Sequence, residues 1–191
     1  WDGATWQKLT LPSPGDTANL RAVAIRAVPG ILNVAGDSGT IMQLVGGNWR
    51  TITNLVITGS VRAIGIGGNA STPDTHFVGD GTVGAVLNNG NTIVNTPGKS
   101  IGGGGTIYSI MQNPNTTGDE LFLGGAMSGG KGYAAKWDGN NSVTQQMASG
   151  PSLSGDIYAM LCTSSYFYAA GAGGAIYRRA SNGGQDNVWA T

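Results

Sequence analysis

The sequence predicts an all-β protein made of repeated antiparallel meanders, on three observations. Gly supplies 34 of the 191 residues, more than twice its usual share of about 7%. Each Gly inside a helix costs about 1 kcal/mol against Ala, and no long window free of Gly and Pro keeps a 3.6-residue period. The apolar runs are short, at 20–28, 31–35, 41–44, 61–66 and 175–177, and turn residues such as Gly46-Gly47, Asn88-Asn89-Gly90 and Asp138-Gly139 separate them. That is the pattern of strands and hairpins. The third observation is repetition. Leu20-Arg21-Ala22-Val23, Val61-Arg62-Ala63-Ile64, Ile107-Tyr108-Ser109-Ile110 and Ile157-Tyr158-Ala159-Met160 open four segments, spaced 41, 46 and 50 residues apart. A Gly landmark follows each opening, and with Gly36, Gly79, Gly124 and Gly171 taken as equivalent the steps are 43, 45 and 47.

Within the first unit, 20–28 reads as the inner strand, 31–36 as the second, 40–45 as the third and 49–54 as the outer one. The connections Pro29-Gly30, Asp37-Ser38-Gly39 and Gly46-Gly47-Asn48 have hairpin lengths, and their Gly and Asp suit tight turns. One such meander cannot bury both faces and so stacks on its neighbours. The expected fold is a single β-propeller domain, 1–191, of about four four-stranded blades at 20–54, 61–96, 107–147 and 157–191. Residues 1–11 read as a surplus strand. It would close the ring, complete a larger propeller of which this chain is a part, or pair with a neighbouring molecule.

Val34-Ala35-Gly36-Asp37-Ser38-Gly39-Thr40-Ile41 with Trp49 in the outer strand, and the turns Trp137-Asp138-Gly139 and Trp1-Asp2-Gly3-Ala4-Thr5-Trp6, carry a resemblance. They are similar to the repeats of BNR-like and YCF48-like β-propellers, with tachylectin-like lectin propellers as a second comparison. The resemblance implies blades around a channel, with ligands bound on one face or in the channel mouth. Two departures are visible: the third unit lengthens its middle with Met127-Ser128-Gly129-Gly130-Lys131-Gly132, and the fourth replaces Gly-Asp by Gly171-Ala172. The strict Asp-box of sialidases is absent.

Composition narrows the function. Ten Lys plus Arg balance ten Asp plus Glu, which leaves no basic surface for nucleic acid. No run is long enough for a membrane span, and the stretch given shows no signal peptide. A metal site is not expected, because His76 is the one His and Cys162 the one Cys. Cys162, among Met160 and Leu161, reads as a small hydrophobe. Asp37 and Asp80 occupy equivalent turns, but an Asp there is expected to bond its own backbone, and Gly125 and Ala172 replace it in the other units. No catalytic residue and no cofactor are expected.

The residues that point to binding are Arg21, Arg62, Tyr108 and Tyr158, each the second residue of an inner strand. In a propeller they would converge at one channel mouth and grip an anionic or sugar-like ligand. The plainer alternative is that they only seal the channel with rings and Arg stems. Trp49, in an outer strand, and Trp137, at a turn, are candidate stacking or contact surfaces, with ordinary packing of the outer strands as the plainer alternative. The sequence therefore predicts a non-enzymatic binding or assembly module with a protein or glycan partner. Self-association through edge strands is a further expectation. The low charge and abundant Gly, Asn, Ser and Thr suit an extracellular or cell-surface protein.

Overall fold

The computed structural model describes residues 4–5, 8–13, 17–26, 30–52, 59–68, 73–80, 84–88, 92–95, 105–113, 120–127, 129–137, 143–146, 153 and 155–180. These form four antiparallel sheets in chain order. Blade 1 holds β1 (Leu20–Arg26), β2 (Ile31–Gly36), β3 (Ile41–Val45) and β4 (Asn48–Thr51). Blade 2 holds β5 (Val61–Gly68), β6 (Pro73–Gly79), β7 (Gly84–Asn88) and β8 (Thr92–Asn95). Blade 3 holds β9 (Thr106–Gln112), β10 (Leu121–Met127), β11 (Lys131–Trp137) and β12 (Val143–Gln146). Blade 4 holds β13 (Ile157–Cys162), β14 (Tyr166–Gly171) and β15 (Ile176–Ala180). The fourth strand expected for blade 4 lies outside the described residues. The expected N-terminal strand is not found at Ala4, Thr5 or residues 8–11, and the rest of 1–11 is outside the described set.

Every sheet is a meander in sequence order, so the connections stay local. The β3–β4 hairpin turns on Gly46 and Gly47 with φ of 57° and 82°, positive values that a two-residue turn needs and Gly supplies without cost. In blade 3 the expected insertion is absorbed by longer strands: Met127 pairs with Lys131 and Ala126 with Gly132. Gly129 and Gly130 form the turn before β11.

The four repeats share one irregularity, and it corrects the alignment read from sequence. Leu20 pairs with Gly36, Val61 with Gly79, Ile107 with Gly125 and Ile157 with Gly171. The landmark of the third unit is therefore Gly125, not Gly124, and the residue in the place of Asp37 and Asp80 is Ala126, not Gly125. The corrected glycines fall 43, 46 and 46 residues apart. A close approach requires them. A Cβ on Gly36, Gly79, Gly125 or Gly171 would stand 2.0 to 2.2 Å from the carbonyl oxygen of Asn19, Ser60, Thr106 or Asp156, the residue just before each inner strand's paired opening.

The core lies between blades rather than within them. Ala35, Ile41 and Ile52 of blade 1 meet Val61 and Phe77 of blade 2. Val78 of blade 2 meets Ile107, Leu121, Leu123 and Tyr133 of blade 3. Phe122 and Ala134 of blade 3 meet Ile157, Phe167, Ala169 and Tyr177 of blade 4. Inner strands pack in sequence, β1 on β5, β5 on β9 and β9 on β13. Among the described residues β13 and β1 make no packing comparable with these, and the described parts of the four blades form an open arc.

Candidate binding site

The side chains of this site are aimed by a backbone feature. In each inner strand the pairing skips one residue: Leu20 and Ala22, Val61 and Ala63, Ile107 and Ser109, Ile157 and Ala159 find successive partners. Arg21, Arg62, Tyr108 and Tyr158 are the unpaired residues. Each is the extra residue of a β-bulge, a device that turns a side chain out of the regular alternation.

The bulges bring these residues into one row at a common end of the arc. The Arg62 guanidinium lies 5.6 Å from the centre of the Tyr108 ring, and Tyr108 meets Tyr158 edge to face at 5.3 Å. Blades 2, 3 and 4 are thus joined by direct contact. Blade 1 enters through Asp37, which is ion-paired with Arg21, accepts a hydrogen bond from Ser60 Oγ of blade 2 at 2.8 Å, and acts electrostatically on Arg62. Arg21 and Tyr158, at the two ends of the row, are exposed, and Arg62 and Tyr108 between them are half-buried.

Both arginines are neutralised where they stand. Arg21 Nε and Nη2 donate to the two carboxylate oxygens of Asp37, the second at 3.2 Å. Arg62 Nε and Nη2 donate to those of Asp80 at 2.5 and 3.1 Å. Hydrogen bonds from Arg21, then Asn19 and Ser60, hold the Asp37 carboxyl well below the usual carboxylate range. For Asp80 burial pushes the carboxyl up, but the hydrogen bond and charge of Arg62, with help from Ser60, outweigh it and the pKa ends lowered. The same bonding raises Arg62. Asp80 also accepts a long hydrogen bond of 3.4 Å from Thr106 Oγ1 of blade 3. The expectation that these Asp side chains serve only their own turns is corrected: they fasten each inner strand to its own second strand and to the next blade.

The sequence carried a signal for this partnership. Arg at the bulge and Asp after the Gly occur together in blades 1 and 2 and are lost together in blades 3 and 4, where Tyr108 stands with Ala126 and Tyr158 with Ala172. The expected four-way grip on an anion is corrected at the same point, because two carboxylates already occupy the two guanidiniums.

The two tryptophans stand apart from the row. Trp137 is not at a turn but ends β11, wholly buried in the junction of blades 2 and 3, and so offers no surface to a ligand. Its period-two partners Tyr133 and Ala135 are buried in the same cluster. Trp49 is half-buried on β4, opposite Leu44 and at the far edge of its sheet from β1. His76 lies within β6, fully buried with its ring 5.4 Å from Trp137, edge to face. Burial lowers its pKa to about 3. Burial, with the charge of Glu120, pushes the Cys162 thiol up to about 11. Among the described residues no group of three or more His, Cys, Asp or Glu could hold a metal ion, and no helix is long and apolar enough to cross a membrane.

No protein-family model matches the sequence, and a comparison with curated proteins gave no match. Among solved structures the chain is similar to the WD40 β-propeller domain of Doa1, at 12% identity and a TM-score of 0.46, over 90% of this chain and 68% of that one.

Proposed function

We propose that the chain is a non-enzymatic binding module that recognises a protein partner through the row Arg21, Arg62, Tyr108 and Tyr158. The observation that supports this reading is that all four bulges aim into one surface. Tyr and Arg carry a disproportionate share of binding energy at protein interfaces. Here the bidentate Asp37 and Asp80 pairs fix the arginines before a partner arrives, which lowers the ordering cost of association. The charges in the row cancel, so it suits a neutral polar surface better than an anion. A non-enzymatic role is favoured because the candidate acids and nucleophile are committed elsewhere. Asp37 and Asp80 are held ionised by arginine, Cys162 is held protonated, and His76 is inaccessible.

The test is affinity capture from the native extracellular material with the intact chain and with Tyr158→Ala, a change at an exposed ring. Loss of the captured partner by about 10-fold or more is expected, as for an interface anchor. Equal capture by both proteins would contradict the site. The repeat grammar of BNR-like and YCF48-like propellers is the family placement we favour, and an extracellular or surface location fits the low charge. Recovery of the protein from the cytoplasm of its source cells would contradict that location.

A glycan partner is the second reading, favoured by the exposed Tyr158 ring braced by Tyr108. Titration with neutral mono- and disaccharides should then shift the NMR signals of these two rings before any others. No shift at saturating sugar would remove the lectin reading.

A further inference from the structure

The three internal junctions pair the same two surfaces each time, a leading face of one blade and a trailing face of the next. The trailing face centres on the first residue of the inner strand. Val61, Ile107 and Ile157 are each 0% exposed, sealed by the blade before them, whereas their counterpart Leu20 in blade 1 is 41% exposed. Val23 corresponds to Ile64, Ile110 and Met160, each packed in a junction, and is 67% exposed. Blade 4 shows the opposite deficiency. Ile41 begins the third strand of blade 1 and is 0% exposed in its junction, while the corresponding Ile176 is 64% exposed, and Leu161, on the same face of the sheet in β13, is 60% exposed.

Among the described residues the inner-strand part of one trailing face and part of one leading face are thus exposed, and they belong to the two halves of a contact that the chain already makes three times. Apolar surface of this kind on a folded domain marks an interaction site. We propose that it is filled by a second copy of this chain. Blade 4 of each copy packs on blade 1 of the other, through β13 and β1, as β9 packs on β13 inside the chain. The contact is confined to the inner strands, because Val34 and Met42 further out on the trailing side of blade 1 are already buried. Arg178, on the leading side of blade 4, has its guanidinium over the Tyr166 ring at 4.9 Å. Two such contacts relate the copies by a two-fold axis and close the assembly. Four blades from each copy give a ring of about eight, within the range that propellers adopt.

The experiment is light scattering coupled to size exclusion on the 19.3 kDa chain across a wide concentration range, with two variants, Val23→Asp and Leu161→Asp. Both residues are exposed in the isolated chain, and circular dichroism with the melting temperature checks that the variants fold as the wild type does. The expected result is a wild-type mass of two chains and a single-chain mass for each variant alone. An equimolar mixture of the two variants should regain the two-chain mass, because that pair keeps one intact junction. A monomeric wild type at every concentration would overturn the proposal, since the open faces would then be covered by other means. A variant Leu161→Asp that still dimerises while Val23→Asp does not would also overturn it, because blade 1 would then be meeting blade 1.

Discussion

At the scale of single residues, position in the repeat decides what a side chain does. Arg62 and Asp80 are each about a third exposed, so their bidentate pair is a moderate contributor to stability. A double-mutant cycle of Arg62→Ala and Asp80→Ala should give a coupling of about 1 kcal/mol; a coupling of zero would show that the pair only orients side chains. His76 is the residue with a distinct pH signature. Burial holds its folded pKa at about 3, below the ordinary histidine value of 6.5, so the unfolded chain takes up a proton that the folded chain refuses. Its contribution is whole above about pH 6.5 and is lost as pH falls from there toward 3, at about 1.4 kcal/mol per pH unit. Asp37 and Asp80, with lowered pKa values, withdraw their support only below about pH 4. Urea midpoints between pH 7 and 4.5 should therefore fall steeply for the wild type and much less for His76→Phe. Parallel curves would exclude His76 as the cause.

At the scale of elements, the unit of construction is an inner strand with a bulge at its second residue and a Gly opposite its first. The Gly is required by the carbonyl oxygen that approaches where a Cβ would be, at 2.0 Å for Gly79. Gly79→Ala must push two strands apart and should cost about 2–3 kcal/mol. In Gly130→Ala the added methyl meets open space and only the positive φ of 73° is penalised, at about 1 kcal/mol. Chemical denaturation of both variants checks the order; a larger loss for Gly130→Ala would mean that the Gly landmark is not a packing requirement. The strands, the meander order and three of the four Gly landmarks were legible in the sequence because hairpin chemistry is local. The third landmark was misread by one residue because Gly124 and Gly125 are adjacent, and only pairing with Ile107 distinguishes them.

At the scale of the whole molecule, the described parts of four blades stack into an arc whose two end blades expose apolar inner-strand residues. This was not legible in the sequence. Whether a last blade meets a first depends on the angle between blades, which no local pattern encodes. The burial of Trp137 was partly legible, since Tyr133 and Ala135 share its face at a spacing of two, but the Asp138-Gly139 pair, which reads as a turn in the sequence, drew the residue toward the surface. The row of bulged residues was legible as a set of equivalent positions, and the neutralisation of its arginines was present in the paired loss of Arg and Asp from blades 3 and 4. What the repeat could not disclose is that the extra residue in each strand aims these side chains at one another.

The convergence of the bulged residues is the claim on which the proposed binding surface rests, and proton NMR of the chain with labelled tyrosine rings tests it most directly. Tyr108 and Tyr158, with ring centres 5.3 Å apart, should show ring-to-ring NOE cross peaks, as should Tyr166 and Tyr168 at 6.1 Å within blade 4. Cross peaks within the Tyr166–Tyr168 pair but none between Tyr108 and Tyr158 would contradict the account, because blades 3 and 4 would then not present their bulged residues to one surface.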